Sequence, residues 1–337
     1  MLKVAIIGLG DVSAIHYLGI QYSQTGQLVA VCDKNDALKN KYPNIPFYTD
    51  IETMLQTESL DVVHVCLPHY LHYTVTKLCL SYGVHVLQEK PLALSYKEGL
   101  ALKDIVDNRS PKVAICFQNR NNPTFIQLME ELAKRETGDI LAVKALVAWH
   151  RGSDYYQTKP WRAQWETAGG GTIINQAVHT LDLMQLIGGS LQSCLASLSN
   201  IGEAQIEVED TAVATFGFNN ECQGFYMSTN AYAFNSSVQI EVVTEAAIFI
   251  LINNALIKHV EGEAPIILAR DVPMEGSKSY YGASHGTLIR AFYEAIIHDT
   301  DDYIHVEDAL PSMLMIDAMK QSSLENRQIK MEEIIHG

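Results

Sequence analysis

Two short segments hold the residues whose types and spacing could do chemistry. The first is Glu89-Lys90-Pro91, directly after the apolar run Val84–Leu87. In an open α/β sheet, ligands bind beyond the carboxyl ends of the strands, and a lysine at such an end projects toward them. Its ammonium can hydrogen-bond a hydroxyl and stabilise developing alkoxide charge. A second cation nearby would lower its pKa and make it a base. The second segment is Gly169-Gly170-Gly171 followed by Asn175, His179 and Asp182. On one helix, at about 100° per residue, these three form a narrow polar stripe. Ile174, Val178 and Leu181 form the apolar stripe that would seat it. An imidazole there can give or take a proton near neutrality; the bland reading is a satisfied core histidine.

A nucleotide site is written at the start of the chain. The run Val4–Ile7 ends in Gly8-Leu9-Gly10-Asp11-Val12-Ser13. Gly-x-Gly lets the backbone turn tightly against a pyrophosphate, which then rests on a helix N-terminus. The third position of the fingerprint, commonly Gly or Ala, is Ser13, which is small enough for close packing. Asp33 stands 20 residues after Ser13, at the end of the next apolar run. A carboxylate there accepts ribose hydroxyls and repels a 2′-phosphate, which favours NAD over NADP. Lys34 is a neighbouring cation that could tolerate the phosphate.

The elements that must position these groups follow from periodicity. Val4–Ile7, Leu28–Val31, Val62–Val65, Val84–Leu87 and Val113–Phe117 are short, β-branched apolar runs, as buried parallel strands are. Amphipathic stretches such as Tyr70–Tyr82 and Tyr96–Val106 lie between them, so the first part reads as a Rossmann-type, doubly wound parallel sheet. After about residue 120 the pattern changes. Thr124–Ala133 reads as a helix, Ile140–His150 as a strand with one wet face, and Gly169–Ile187 as a Gly-led helix. Alternating strands follow at Gln192–Ser199, Asp210–Phe218, Gln223–Tyr232 and Ser237–Ile252, then helices near Gly286–Ile297 and Val306–Ser323. This is an α+β domain with a large, mostly antiparallel sheet. The boundary falls near Phe117–Pro123, giving domains 1–120 and 121–337.

Gly8-x-Gly10 with Asp33, Pro68-x-x-x-His72, Glu89-Lys90-Pro91, Trp161-Arg162, Gly169–Gly171 and His179-x-x-Asp182, in this order, resemble the glucose–fructose oxidoreductase/inositol dehydrogenase (Gfo/Idh/MocA) family. The resemblance implies hydride transfer between NAD(P) and a hydroxyl of a sugar, cyclitol or related polyol. It also implies an open-faced sheet used for oligomerisation. Lys90 would polarise the reacting oxygen and His179 would carry the proton. Glu89 would touch the nicotinamide ribose, and Pro68 and His72 would shape the cofactor cleft. Trp161 and Arg162 resemble a segment near the cofactor. Tyr281 and His285, after Tyr280, fall where the family often contacts substrate, and His150 and Asp182 could line the same cleft. The sequence departs from the family at Asn175, where many members carry a catalytic Asp. A neutral amide cannot accept a proton, so proton transfer falls to His179 and Lys90.

Composition excludes other classes. The 337 residues carry 47% hydrophobic and 19% charged side chains with a net charge of −15, which suits two globular domains and disfavours nucleic acid or an anionic membrane as partner. None of the six cysteines has Cys-x-x-Cys spacing, so no metal or redox motif is expected, and buried reduced thiols fit a cytoplasmic location. There is no signal-peptide pattern at the N-terminus and no apolar run long enough to span a bilayer. A homodimer or homotetramer is expected from the open sheet. Two rival functions remain: an NAD-dependent glycosidase, which would release a leaving group without accumulating NADH, and a sugar-sensing regulator, which would need neither Lys90 nor His179.

Overall fold

A computed structural model describes residues 1–107, 111–202, 204–272 and 284–335. The first part alternates β1 (Leu2–Ile7), α1 (Ser13–Ser23), β2 (Gly26–Cys32), β3 (Phe47–Tyr48), α2 (Ile51–Thr57), β4 (Val62–Val65), α3 (His72–Ser81), β5 (His85–Gln88), α4 (Tyr96–Asp107) and β6 (Val113–Ile115). The strands pair in parallel in the order β3-β2-β1-β4-β5-β6. All four residues of β4 are buried, as expected where helices cover both faces of a sheet. The order reverses between β1 and β4, so Gly8 and Cys66, just past their ends, flank the topological switch point. Of these strands only the short β3 has no counterpart in the sequence reading.

Further along are α5 (Pro123–Lys134), β7 (Ile140–Ala148), α6 (Ser153–Gln157), α7 (Trp165–Ala168), α8 (Thr172–Asn175), α9 (Val178–Gly188), β8 (Leu191–Ser199), β9 (Thr211–Phe218), β10 (Gln223–Thr229), β11 (Gln239–Thr244), β12 (Ile248–Ile252), β13 (Ala255–His259) and β14 (Ile266–Arg270). The chain closes with α10 (Ser284–His298), α11 (Val306–Glu325), β15 (Ile329–Lys330) and α12 (Met331–Ile335). The second sheet has nine strands in the order β14-β13-β12-β11-β7-β10-β9-β8-β15. Its pairs are antiparallel except β7–β10, which is parallel.

Three expectations are corrected. Ser237–Ile252 is a hairpin, β11 and β12, because Thr244 closes a tight turn: its N–H and its hydroxyl both donate to Ala247 O at 2.9 Å. The single helix expected over Gly169–Ile187 is two pieces, α8 and α9. α7 ends before Gly169, and α8 and α9 are separated by a wide turn in which Ala177 N donates to Thr172 O, five residues back, at 2.9 Å. Asn175 and His179 therefore do not share one regular helical stripe. Third, the chain forms two compact units with several crossings. One unit holds residues 1–93, 97–118 and the described 284–309; the other holds 94–96, 119–272 and 310–335. The boundary read near Phe117–Pro123 matches one crossing, but α10 returns to the first unit. It does so because Leu288, Ile289, Phe292 and Tyr293 complete the core formed by Val4, Ile6, Ile20 and Val62.

Candidate functional site

In the first unit, the glycine turn is built for close approach. Gly8 has φ +90°, and a Cβ there would lie 2.4 Å from Cys66 O, so only glycine fits. Val12 gives α1 no side-chain cap, and Ile15 N–H donates to Val12 O at 3.0 Å, so an anion at this helix start would be met by the N–H groups before Ile15. Ser13 is buried and its hydroxyl donates to Gly10 O at 2.8 Å. Asp33 Oδ2 accepts Leu9 N–H at 2.7 Å and Oδ1 accepts Asn35 N–H at 2.8 Å, so the carboxylate is fixed beside the turn. Gly8, Gly10, Asp11, Val12, Ser13 and Asp33 thus come together beyond the carboxyl ends of β1 and β2, where they could hold a dinucleotide.

Glu89 and Lys90 directly follow β5, Pro68 lies in the loop after β4, and His72 opens α3. Lys90 is half-buried, and its backbone N–H donates to Glu89 Oε2 at 3.2 Å. His72 is fully buried, with Nδ1 2.7 Å from Pro91 O and Nε2 2.9 Å from Leu67 O. Burial pushes its pKa down, so the neutral ring donates to one carbonyl at a time. It braces the two loops that carry Pro68 and Pro91.

Behind Glu89 runs a buried polar chain that sequence reasoning missed. Tyr293 Oη is 2.8 Å from His64 Nε2, His64 Nδ1 is 2.9 Å from His16 Nδ1, and His16 Nε2 is 2.9 Å from Glu89 Oε1. His285 Nε2 stands 3.7 Å from the same Glu89 oxygen. Burial works against a charged His16, but contacts with Cys66, Cys116 and the Glu89 carboxylate hold its pKa well above the imidazole range. Burial likewise opposes the Glu89 charge, but hydrogen bonds from His16 and His285 hold its pKa well below the carboxylate range. With both ring nitrogens protonated, His16 would donate to Glu89 and to His64 Nδ1, and His64 would donate from Nε2 to Tyr293. Ligand-type atoms of His16, Glu89, Cys116 and His285 lie within 4.8 Å of one another. Those residue types could hold a transition metal. All six cysteines are free and buried.

In the second unit, α8 is held by Glu209. This buried carboxylate accepts Gly171 N–H at 2.9 Å and Ile173 N–H at 3.0 Å. A Cβ on Gly171 would lie 1.8 Å from Glu209 O, which explains the last glycine of the triplet. Asn175, thus fixed, donates to Tyr155 Oη at 3.3 Å, and Gln176 donates to the same oxygen at 2.9 Å. The Arg162 guanidinium lies over the Tyr155 ring at 4.2 Å and over Trp161 at 5.5 Å. Asn230 donates to Gln176 Oε1 at 3.0 Å and to Tyr156 Oη at 3.2 Å. His150, Arg151, Tyr156, Asn230 and Tyr232 line a cavity of about 540 Å³. Tyr155, Gln176 and Asn230 were not singled out from the sequence; an adjacent Tyr-Tyr pair carries no local signal.

His179 stands in the first turn of α9. Asp182, expected as a substrate contact, is instead buried with both oxygens engaged by Arg120, at 2.8 and 2.6 Å. His285 lies in the first unit, against Glu89. Tyr281 and Tyr280 lie outside the described residues. Among the described residues, no helix is long and apolar enough to cross a membrane.

Comparison with known proteins agrees with this layout. Residues 2–117 match the model of an oxidoreductase family's NAD-binding Rossmann fold, and residues 130–331 match that family's C-terminal alpha/beta domain. An uncharacterized oxidoreductase of Synechocystis is 30% identical over 66% of this chain and 64% of its own length. D-glucoside 3-dehydrogenase of Escherichia coli is 30% identical over 65% of this chain and 67% of its own length. Levoglucosan dehydrogenase, solved with NADH, superposes with a TM-score of 0.88 at 19% identity, covering 98% of this chain and 99% of that one.

Proposed function

Because the chain belongs to the Gfo/Idh/MocA family of NAD-binding oxidoreductases, we propose that it is a dehydrogenase acting on a secondary hydroxyl of a sugar or related polyol. One observation carries the reading: the unit that holds the fixed Asp33 and the N-terminus of α1 also carries Lys90 at the carboxyl end of β5. A sensor of the same fold would not require a cation there. The sugar-acting names of its relatives support the substrate class.

Bound NAD supplies the hydride acceptor. Asp33 accepts the adenosine ribose hydroxyls, and the N–H groups at the start of α1 take the pyrophosphate. Pro68 borders the cofactor, and Glu89 accepts from the nicotinamide ribose. Lys90 Nζ donates to the reacting oxygen and stabilises its developing charge. The His179 imidazole would accept the proton of the substrate hydroxyl. Asn175, whose amide nitrogen donates to Tyr155 Oη, would orient a substrate hydroxyl. His150 offers its ring to a more distant hydroxyl, and Asp182 anchors α9 through Arg120.

The open face of the second sheet exposes Leu195, Val213, Phe225 and Met227, at 47%, 49%, 54% and 40%. Val213 and Met227 are direct cross-strand partners. A contiguous apolar patch of this kind suits a second copy of the chain.

The test is a screen of polyols, inositols, aldoses and sugar acids with NAD, read by NADH absorbance. NADH formation with one compound class is the expected result. No turnover in either direction by a protein that binds NAD would sink the dehydrogenase reading.

A further inference from the structure

Arg151 follows β7 in the second unit and lines the cavity of about 540 Å³ there. Among the described lining residues it is the single guanidinium or ammonium. Its Nη1 donates to His150 O at 2.6 Å and to Asn235 Oδ1 at 2.8 Å. The guanidinium carbon lies 5.0 Å from the centre of the Trp149 ring and 5.2 Å from that of Tyr155. These contacts fix the group, and among the described residues all of them are to neutral partners. A guanidinium carries N–H donors on three nitrogens. Those on Nε and Nη2 make no hydrogen bond among the described residues, so half of the planar fork is left for a ligand.

The acid in the same lining does not answer this charge. Asp210 accepts Ile201 N–H at 3.0 Å, Gly202 N–H at 2.8 Å and the Thr211 hydroxyl at 2.8 Å. The cavity also adjoins the layer that fixes Asn175. Tyr155, whose ring meets the Arg151 guanidinium, accepts through Oη from Asn175 and Gln176, and Gln176 accepts from Asn230, a lining residue. A ligand bearing only hydroxyls would cover the guanidinium without bringing a counter-charge, which is costly. A carboxylate or a phosphate would take the remaining fork in parallel, charge-assisted bonds. The net charge of −15 repels anions at long range, so an anionic substrate needs a fixed cation of this kind.

We propose that Arg151 binds an oxyanion carried by the substrate, a carboxylate or a phosphate, so that the sugar or polyol acted on is an anionic derivative and not the neutral compound. The inference rests on the dehydrogenase reading above and adds the charge of the substrate to it. A cavity of about 540 Å³ falls within the roughly 300–1,000 Å³ of small-molecule sites. Arg151 sets specificity here and takes no part in proton transfer.

The experiment measures NAD reduction by the full chain on matched compounds: glucose against glucuronate, gluconate, glucose 1-phosphate and glucose 6-phosphate, with the galactose and N-acetylglucosamine series alongside. The unmutated protein is compared with Arg151→Met and Arg151→Lys. In one series an anionic member should exceed its neutral parent about tenfold or more in kcat/KM, as added hydrogen bonds to a charged group allow. Preference for the sugar acid identifies a carboxylate, and preference for the ester a phosphate. Arg151→Met should lower kcat/KM on the preferred anion about tenfold to a hundredfold, mainly by raising KM, and shrink the preference over the neutral parent to about threefold or less. Arg151→Lys, a charge without the fork, should keep part of the preference. Fluorescence titration should give the same NAD affinity for all three proteins. A neutral parent that turns over as well as its anionic partners would overturn the proposal while leaving the dehydrogenase reading intact. So would an Arg151→Met protein that loses both in equal measure, because Arg151 would then be a brace for Tyr155. If Arg151→Met does not fold, the matched series on the unmutated protein and Arg151→Lys still decide. A protein that binds NAD but turns over no member of any series would instead remove the dehydrogenase reading on which the proposal stands.

Discussion

His16 donates to Glu89 across 2.9 Å inside the first unit, with both side chains almost wholly out of solvent. This pair ties α1, which opens the nucleotide turn, to the end of β5, which carries Lys90. Removing one partner of a buried pair strands the other charge and costs about 3–5 kcal/mol. Glu89→Gln should lower unfolding stability by that order in denaturant titrations. The pH dependence has a definite sign. The depressed Glu89 pKa contributes stability above the unfolded carboxylate value, near 4.3, which is lost as pH falls through the folded value. The raised His16 pKa contributes stability that is full below about 6.5 and is lost as pH rises through its folded value. The gap between unmutated protein and Glu89→Gln should therefore be widest between those limits and shrink on acidification. A gap independent of pH would show that the pair is not ionised.

Asp33→Ala should weaken NAD binding about tenfold or more, as expected for loss of hydrogen bonds to a charged acceptor, and should narrow the difference between NAD and NADP. Cofactor titration checks this, with Asp33→Asn as a control that keeps the bond from Leu9. An Asp33→Ala protein with the original preference would place the discrimination elsewhere.

Gly171→Ala puts a methyl group where Glu209 O leaves 1.8 Å. Overpacking of this kind costs about 1–3 kcal/mol, and it falls on the turn that orients Asn175. The variant should lose stability and turnover while NAD affinity changes little. Unimpaired stability would mean that the backbone at Glu209, just before β9, can retreat.

For proton transfer, His179→Ala should cut the turnover rate by about 10²–10⁴ with NAD affinity nearly unchanged. Lys90→Ala should do at least as much, because the developing alkoxide loses its cation. Asn175→Asp should stay active with an altered pH profile. Rate against pH for the three variants decides the roles. A His179→Ala enzyme with a normal rate and profile would pass the base role to Lys90.

Phe225 is exposed on the open sheet face and pairs with Thr215 across β9 and β10. If a second copy covers this face, Phe225→Glu should convert a dimer or tetramer to a smaller species in light scattering, with little change in the unfolding midpoint of the protomer. A protein that is monomeric before mutation would leave the patch to another use.

Local order was legible in the sequence. A buried parallel strand must be a short apolar run, and a pyrophosphate turn needs glycine where a Cβ would strike the neighbouring backbone, so β1, Gly8 and Asp33 could be read directly. Lys90 could be placed because a strand's end is a fixed point on the sheet. The partners of long-range contacts could not be read. Asp182 looked available until Arg120, 62 residues earlier, took both its oxygens. The His64–Tyr293 contact spans 229 residues. Periodicity reports which face of an element is buried. It does not report what that face meets, because this depends on how distant elements pack. The return of α10 to the first core and the break before His179 were decided there, by side-chain fit and by a single displaced backbone hydrogen bond.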